Sequence, residues 1–249
     1  MSGDLVRREE LAEVVGRLSD RDLDAGERTR LLARLTRLLS GGLRAAGARA
    51  SLSGRWLAEL VTDVVPHLPV RDLDTLRQHH GGLTGDALAE SLVRSAVRAT
   101  AGVGAAGGAL ASVQHAAPPS LLLAPVQLTA ETLAVVAVEI KLVAELHVVH
   151  GRTPIGTPAE VAGAYVGAWV ERRGVEGSAG APLLGAVLGA AARHQLRRRL
   201  TARLARNAVT LAPLLTGALA GAELNRRETR LLGDRVVAEL RDEADQPGS

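Results

Sequence analysis

Residues 99–130 contain no Asp, Glu, Lys or Arg. This stretch sits inside 84–151, which reads as two long helices. The first is rich in Gly and Ala (TGDALAESLVRSAVRATAGVGAAGGALAS). The second is rich in Leu and Val (LLLAPVQLTAETLAVVAVEIKLVAELHVVHG), and HAAPPS separates them. A helix apolar on most sides needs other helices around it, or lipid. A spanning helix needs about 20 uninterrupted apolar residues. Pro118, Pro119 and Pro125 interrupt this stretch, and the apolar segments at 180–192 and 207–222 are shorter. A soluble or peripheral protein is expected rather than a spanning one.

The core must be built from unusual material. The chain has no Phe, one Tyr and two Trp, so Leu, Val and Ala have to fill the interior. Small side chains leave voids unless helices approach closely. Glycine pairs four residues apart provide for that approach: Gly104/Gly108, Gly163/Gly167, Gly185/Gly189 and Gly217/Gly221. Gly102, Gly104 and Gly107 also spell GxGxxG. The residues before them (RSAVRAT) read as helix, whereas the dinucleotide fingerprint follows a strand, so no nucleotide site is assigned. The expected fold is all-α, a glycine-rich multi-helix bundle built around a long apolar helical hairpin.

Helix signals recur along the rest of the chain. Residues 4–18 place Leu5, Leu11, Ala12, Val15 and Leu18 on one face. Asp24 and Glu27 form a capping-box pattern before a helix with Leu31, Leu32, Leu35, Leu38 and Leu39 on one stripe and Arg30, Arg34 and Arg37 opposite. Gly41-Gly42 is expected to end it. A third amphipathic helix spans 52–65 and stops at Pro66. His79-His80-Gly81-Gly82 reads as a linker, dividing N-terminal amphipathic helices (1–80) from a helical core (81–243) and a frayed tail (244–249). Thr157-Pro158-Ala159-Glu160 is a full capping box with proline at the first helical position. Asn225 is expected to cap a last helix running to about Arg241.

Several classes of chemistry find no support. There is no Cys, so disulfides and thiolate metal ligands are excluded. No Ser sits in G-x-S-x-G. His147 and His150 are three apart, but Glu145 does not complete the Glu-x-x-His spacing of di-iron bundles. No catalytic residue, metal or cofactor is assigned. The start, MSGDLVRREE, lacks an apolar signal segment, and a cytoplasmic location is expected.

Two sets of residues remain. Cations are almost all Arg, with Lys141 the single lysine. Arg193, Arg197, Arg198, Arg199, Arg203 and Arg206 crowd one helix and could grip phosphates of lipid. The scarcity of aromatics argues against stacking on single-stranded nucleic acid. The second set is the polar residues of the apolar helix. Winding it at 100° per residue puts Gln127, Glu131, Lys141 and Glu145 on one stripe. Glu139 falls among Leu128, Val135, Leu142 and Leu146, where a carboxylate must be paired, protonated or at an interface.

The glycine-rich helix, the proline-interrupted apolar helix ending in HG, and the later LAPLLTGALAGAELN and RRETRLLGDRVVAELR together resemble the EcsC protein family of bacteria, over 84–243. His150 stands where that family usually has Tyr, and Pro213 and Gly217 are one residue further apart than in its usual pattern. The resemblance implies a helical fold and association with membranes. It supplies no catalytic residues. Three functions are therefore expected, in this order. The first is a non-enzymatic peripheral protein, on the inner face of the membrane, meeting an anionic bilayer or a membrane protein through its arginines. The second is a soluble scaffold forming homo-oligomers through its small-residue faces. The third is a carrier or enzyme for an apolar ligand, with a pocket around Glu139.

Overall fold

The computed structural model describes residues 2–20, 23–46, 55–115, 124–172, 190–207 and 215–245. These form α1 (Ser2–Leu18), α2 (Ala25–Ala46), α3 (Arg55–Val64), a 3-10 turn (Val65–His67), α4 (Leu73–His79), α5 (Gly85–His115), α6 (Ala124–Val149), α7 (Pro158–Arg172), α8 (Ala190–Asn207) and α9 (Leu215–Asp245). No strand occurs among the described residues. The chain is an all-α bundle.

The apolar helix α6 is its axis. From Val126 to Leu146 every residue except Lys141 is buried. Seven helices pack on it: α1, α2, α3, α5, α7, α8 and α9. The even hydrophobicity of α6 therefore has a cause inside the protein, since a helix surrounded on all sides has no polar face to present. Among the described residues no helix is long and apolar enough to cross a membrane.

The hairpin partner α5 lies along α6, but its tightest neighbour is α9. The two run antiparallel, with Gly104 opposite Gly221, Thr100 opposite Asn225 and Val93 opposite Gly233. A methyl group on Gly104 would come 2.6 Å from the Gly221 carbonyl carbon, and one on Gly108 would overlap the backbone of Ala218. Gly102 and Gly107 have different neighbours. Gly102 leaves room for the Arg28 side chain, and Gly107 for the Glu131 carboxylate.

Local signals explain several element ends. Thr157 and Glu160 bond reciprocally, with the Thr157 amide donating to Glu160 Oε2 at 2.7 Å and the Glu160 amide to Thr157 Oγ1 at 3.4 Å. Asp24 caps α2 by accepting from the Glu27 amide at 2.8 Å, while the Glu27 carboxylate pairs with Arg17 instead of reaching back. Two ends differ from expectation. α2 runs through Gly41-Gly42 to Ala46, since glycine permits a stop without forcing one. α9 is continuous from Leu215, so Asn225 caps nothing: buried in mid-helix, it donates to the Thr100 carbonyl of α5 at 3.2 Å.

The turn at 80–82 uses two glycines with positive φ, +67° at Gly81 and +80° at Gly82. It is tied to α5 by the contact of His80 Nδ1 with Ser91 Oγ at 2.8 Å. A single apolar cluster then includes Leu11, Leu32 and Leu57 from before this turn and Val103, Leu133, Leu200 and Leu240 from after it. The two stretches of chain share one core.

Candidate functional site

Glu139 lies at the centre of α6 with no exposure, and three other helices converge on it. Arg203 of α8 donates Nη1 to Oε2 at 3.0 Å and Nη2 to Oε1 at 3.1 Å, the two-pronged geometry that suits guanidinium to carboxylate. Trp169 of α7 donates Nε1 to Oε2 at 2.9 Å, and Thr229 of α9 donates its hydroxyl to Oε1 at 2.9 Å. A carboxylate accepts about four hydrogen bonds, so its capacity is filled. None of the cavities described below is lined by Glu139. Around Glu139 the described residues form a lock joining four helices.

That lock divides the arginines of α8. Arg203 is 1 % exposed and cannot reach a surface, so it leaves the expected phosphate-binding set. Its Nη1 also lies 3.3 Å from Glu228, and Arg206 pairs with the same carboxylate at 2.8 Å. The physical reason is the helical register: Leu196, Leu200, Arg203 and Leu204 form the buried face. Arg193 and Arg198 are exposed, and Arg197 and Arg199 half-buried. No acid among the described residues forms an ion pair with any of these four. Burial, then the neighbouring charges of Arg198 and Arg206, lowers the Arg199 pKa from its ordinary value. An anion placed there would offset the repulsion from Arg198 and Arg206.

The other polar residues of α6 separate into two groups. Gln127 and Glu131 face α5, where the Gln127 amide donates to the Gly107 carbonyl at 2.7 Å and to Glu131 Oε1 at 2.8 Å. Lys141 and Glu145 face a cleft of about 770 Å³ between α1, α5, α6 and the segment around Arg71. Arg71 grips Glu145 with Nε at 2.8 Å and Nη2 at 3.0 Å. Lys141 is left with longer contacts, 3.9 Å to Glu145 and 3.4 Å to the Ser19 hydroxyl. Burial lowers its pKa, which the Glu145 charge opposes and the Arg71 charge reinforces. Val138 and Leu142 give the cleft an apolar wall.

His147 and His150 each turn Nδ1 to the carbonyl four residues back, at 2.7 and 2.8 Å, and His147 meets the edge of Tyr165 with ring centroids 5.7 Å apart. No group of three metal-ligating side chains occurs among the described residues. Of the glycine pairs, Gly104, Gly108 and Gly221 lie inside the α5–α9 contact, so another copy of the chain cannot use them without opening it. Apart from its own helix backbone, no described atom lies within 4 Å of where a methyl on Gly163 or Gly167 would sit. Gly217 is in the first turn of α9. Gly185 and Gly189 lie outside the described residues.

Two groups escaped the sequence reading. Arg28 is buried behind α1 and donates to the carbonyls of Leu18 (2.8 Å) and Asp20 (2.9 Å), and burial lowers its pKa. Asp24 capping and the Leu stripe say nothing of where this arginine points. The second group is a set of arginines on α5 and α9, separated by more than a hundred residues in sequence. Their spacing, Arg94/Arg98 and Arg226/Arg230, was visible, but not that the two helices are neighbours. Comparison of the chain with known protein families, curated proteins and solved structures finds no match.

Proposed function

We propose that this chain is a peripheral docking protein that binds anionic membrane surfaces through the N-terminal half of α8. The observation that carries this reading is the division within one helix. Arg203 and Arg206 are neutralised by Glu139 and Glu228, whereas Arg193, Arg197, Arg198 and Arg199 have no acid partner among the described residues. A basic segment that served only as a solvated surface would be expected to interleave acids. The resemblance to the EcsC family over 84–243 leans the same way. The inner leaflet of a bacterial membrane supplies the complementary charge.

The magnitude defines the kind of binding. Each arginine near an anionic membrane contributes about 1 kcal/mol, so four give about 4 kcal/mol, a reversible, salt-sensitive attachment of roughly millimolar strength. Flotation with vesicles tests it. The protein is expected to float with phosphatidylglycerol vesicles at low salt, to be released at high salt, and to ignore neutral phosphatidylcholine. The variant Arg197→Gln/Arg198→Gln/Arg199→Gln should bind about a hundredfold more weakly. Binding to neutral vesicles that salt does not release, or unchanged binding by the variant, would overturn the reading.

A further inference from the structure

We infer that a groove between α5 and α9 is a binding site for clustered phosphoryl groups, separate from the docking surface on α8. Five arginines line it: Arg94 and Arg98 from α5, and Arg226, Arg227 and Arg230 from α9. The groove encloses about 500 Å³, and one acid, Glu223, shares its lining. That acid lies 3.7 Å from Arg226, and both side chains are largely exposed. Arg94 pairs with Glu90 at 2.6 Å, along its own helix. Arg98, Arg227 and Arg230 have no ion pair among the described residues.

The antiparallel register causes this convergence. With Thr100 opposite Asn225 and Val93 opposite Gly233, Arg94 comes level with Arg230 and Arg98 with Arg227. The glycine contacts then hold the two helices too close to splay apart. Arg98, Arg226 and Arg227 are exposed, and Arg94 and Arg230 half-buried. Here the four-residue spacings Arg94/Arg98 and Arg226/Arg230 put the stems of each pair on one face of their helix. Guanidinium groups remain charged at any physiological pH and present paired donors that match phosphate oxygens. Val97 and Ala101, small and apolar, floor the groove, so the arginines are its principal polar groups. A ligand with two or more phosphoryl groups meets several of them at once, while orthophosphate meets few.

The phosphoryl groups can be those of a soluble oligophosphate or of a lipid headgroup, and the test has an arm for each. The full chain is titrated calorimetrically with inorganic tripolyphosphate and, separately, floated with vesicles containing phosphatidic acid. Saturable one-to-one tripolyphosphate binding is expected. It should weaken about tenfold or more in Arg98→Gln/Arg230→Gln and stay unchanged in Arg197→Gln/Arg198→Gln/Arg199→Gln. If only the vesicles bind, and Arg98→Gln/Arg230→Gln releases them, the phosphates are lipid-borne. If neither arm shows binding that Arg98→Gln/Arg230→Gln reduces, the inference is wrong. Arg94→Gln/Arg226→Gln serves as a second variant should the first lose helicity by circular dichroism. Because α8 contributes nothing to the groove, failure here leaves the docking reading standing, and failure of docking leaves this one.

Discussion

Arg203 and Glu139 show how differently one residue type can be used within a single helix. Four neighbouring arginines of α8 face outward, yet Arg203 is enclosed because its position coincides with that of Leu196, Leu200 and Leu204 on the inner face. Taking two charges out of water costs several kcal/mol each, and their attraction offsets this only when the geometry is good and the remaining atoms are bonded. Here the carboxylate has its two-pronged partner plus Trp169 and Thr229. Breaking the pair from one side leaves a buried charge. Arg203→Met is therefore expected to cost about 3–5 kcal/mol, while Glu139→Leu/Arg203→Met should recover most of that loss. Urea unfolding of the two variants checks this, and a cost below about 1 kcal/mol for the single variant would mean that the pair is not desolvated.

Among the elements, α5 shows what its glycines are for. Gly102, Gly104, Gly107 and Gly108 face Arg28, Gly221, Glu131 and Ala218, which lie on three different helices, α2, α6 and α9. What reads as a nucleotide fingerprint is a set of independent clearances around one helix. Their cost in helix propensity, about 1 kcal/mol each, is offset by contact with backbone at Gly104 and Gly108 and with side chains at Gly102 and Gly107. Gly163 on α7 lacks such a neighbour among the described residues. The same substitution should then act in opposite directions. Gly108→Ala must push α9 away and is expected to lower stability by about 1–3 kcal/mol. Gly163→Ala should raise it by up to about 1 kcal/mol. Thermal unfolding followed by circular dichroism compares them, and equal shifts would contradict the close contact at Gly108 and the open space at Gly163.

The whole molecule is a helix wrapped by helices. Because α6 touches seven others, opening it requires most of the bundle to open, whereas α4 and the end of α9 can open locally. Amides of α6 between Val126 and Leu146 are expected to exchange hydrogen most slowly, at the rate of global unfolding. Hydrogen exchange read by mass spectrometry should show this, and faster exchange in α6 than in α5 would refute the axial role. The polar chemistry is distributed around this axis. The Glu139 lock ties its middle to α7, α8 and α9. The Lys141 cleft opens toward α1, and the arginine surfaces lie on helices packed outside it.

Much of this architecture is legible from residues 84–151 and the caps around them. A charge-free segment with prolines at its break, Leu and Ala as core material and Thr157 through Glu160 as a helix start are local properties, and local physics determines them. The burial of Glu139 also follows from winding α6 alone, because its position falls among leucines. The partner of that carboxylate does not, since Arg203 is one of several arginines in a row and only the docking of α8 distinguishes it. Nor does the groove between α5 and α9: Arg98 is brought level with Arg227, and Arg94 with Arg230, by the register of two helices far apart in sequence. The sequence by itself determined which segments are helical and which faces are apolar. The tertiary structure alone decided which charges pair with which among the described residues, because pairing depends on distances between elements that no local pattern encodes.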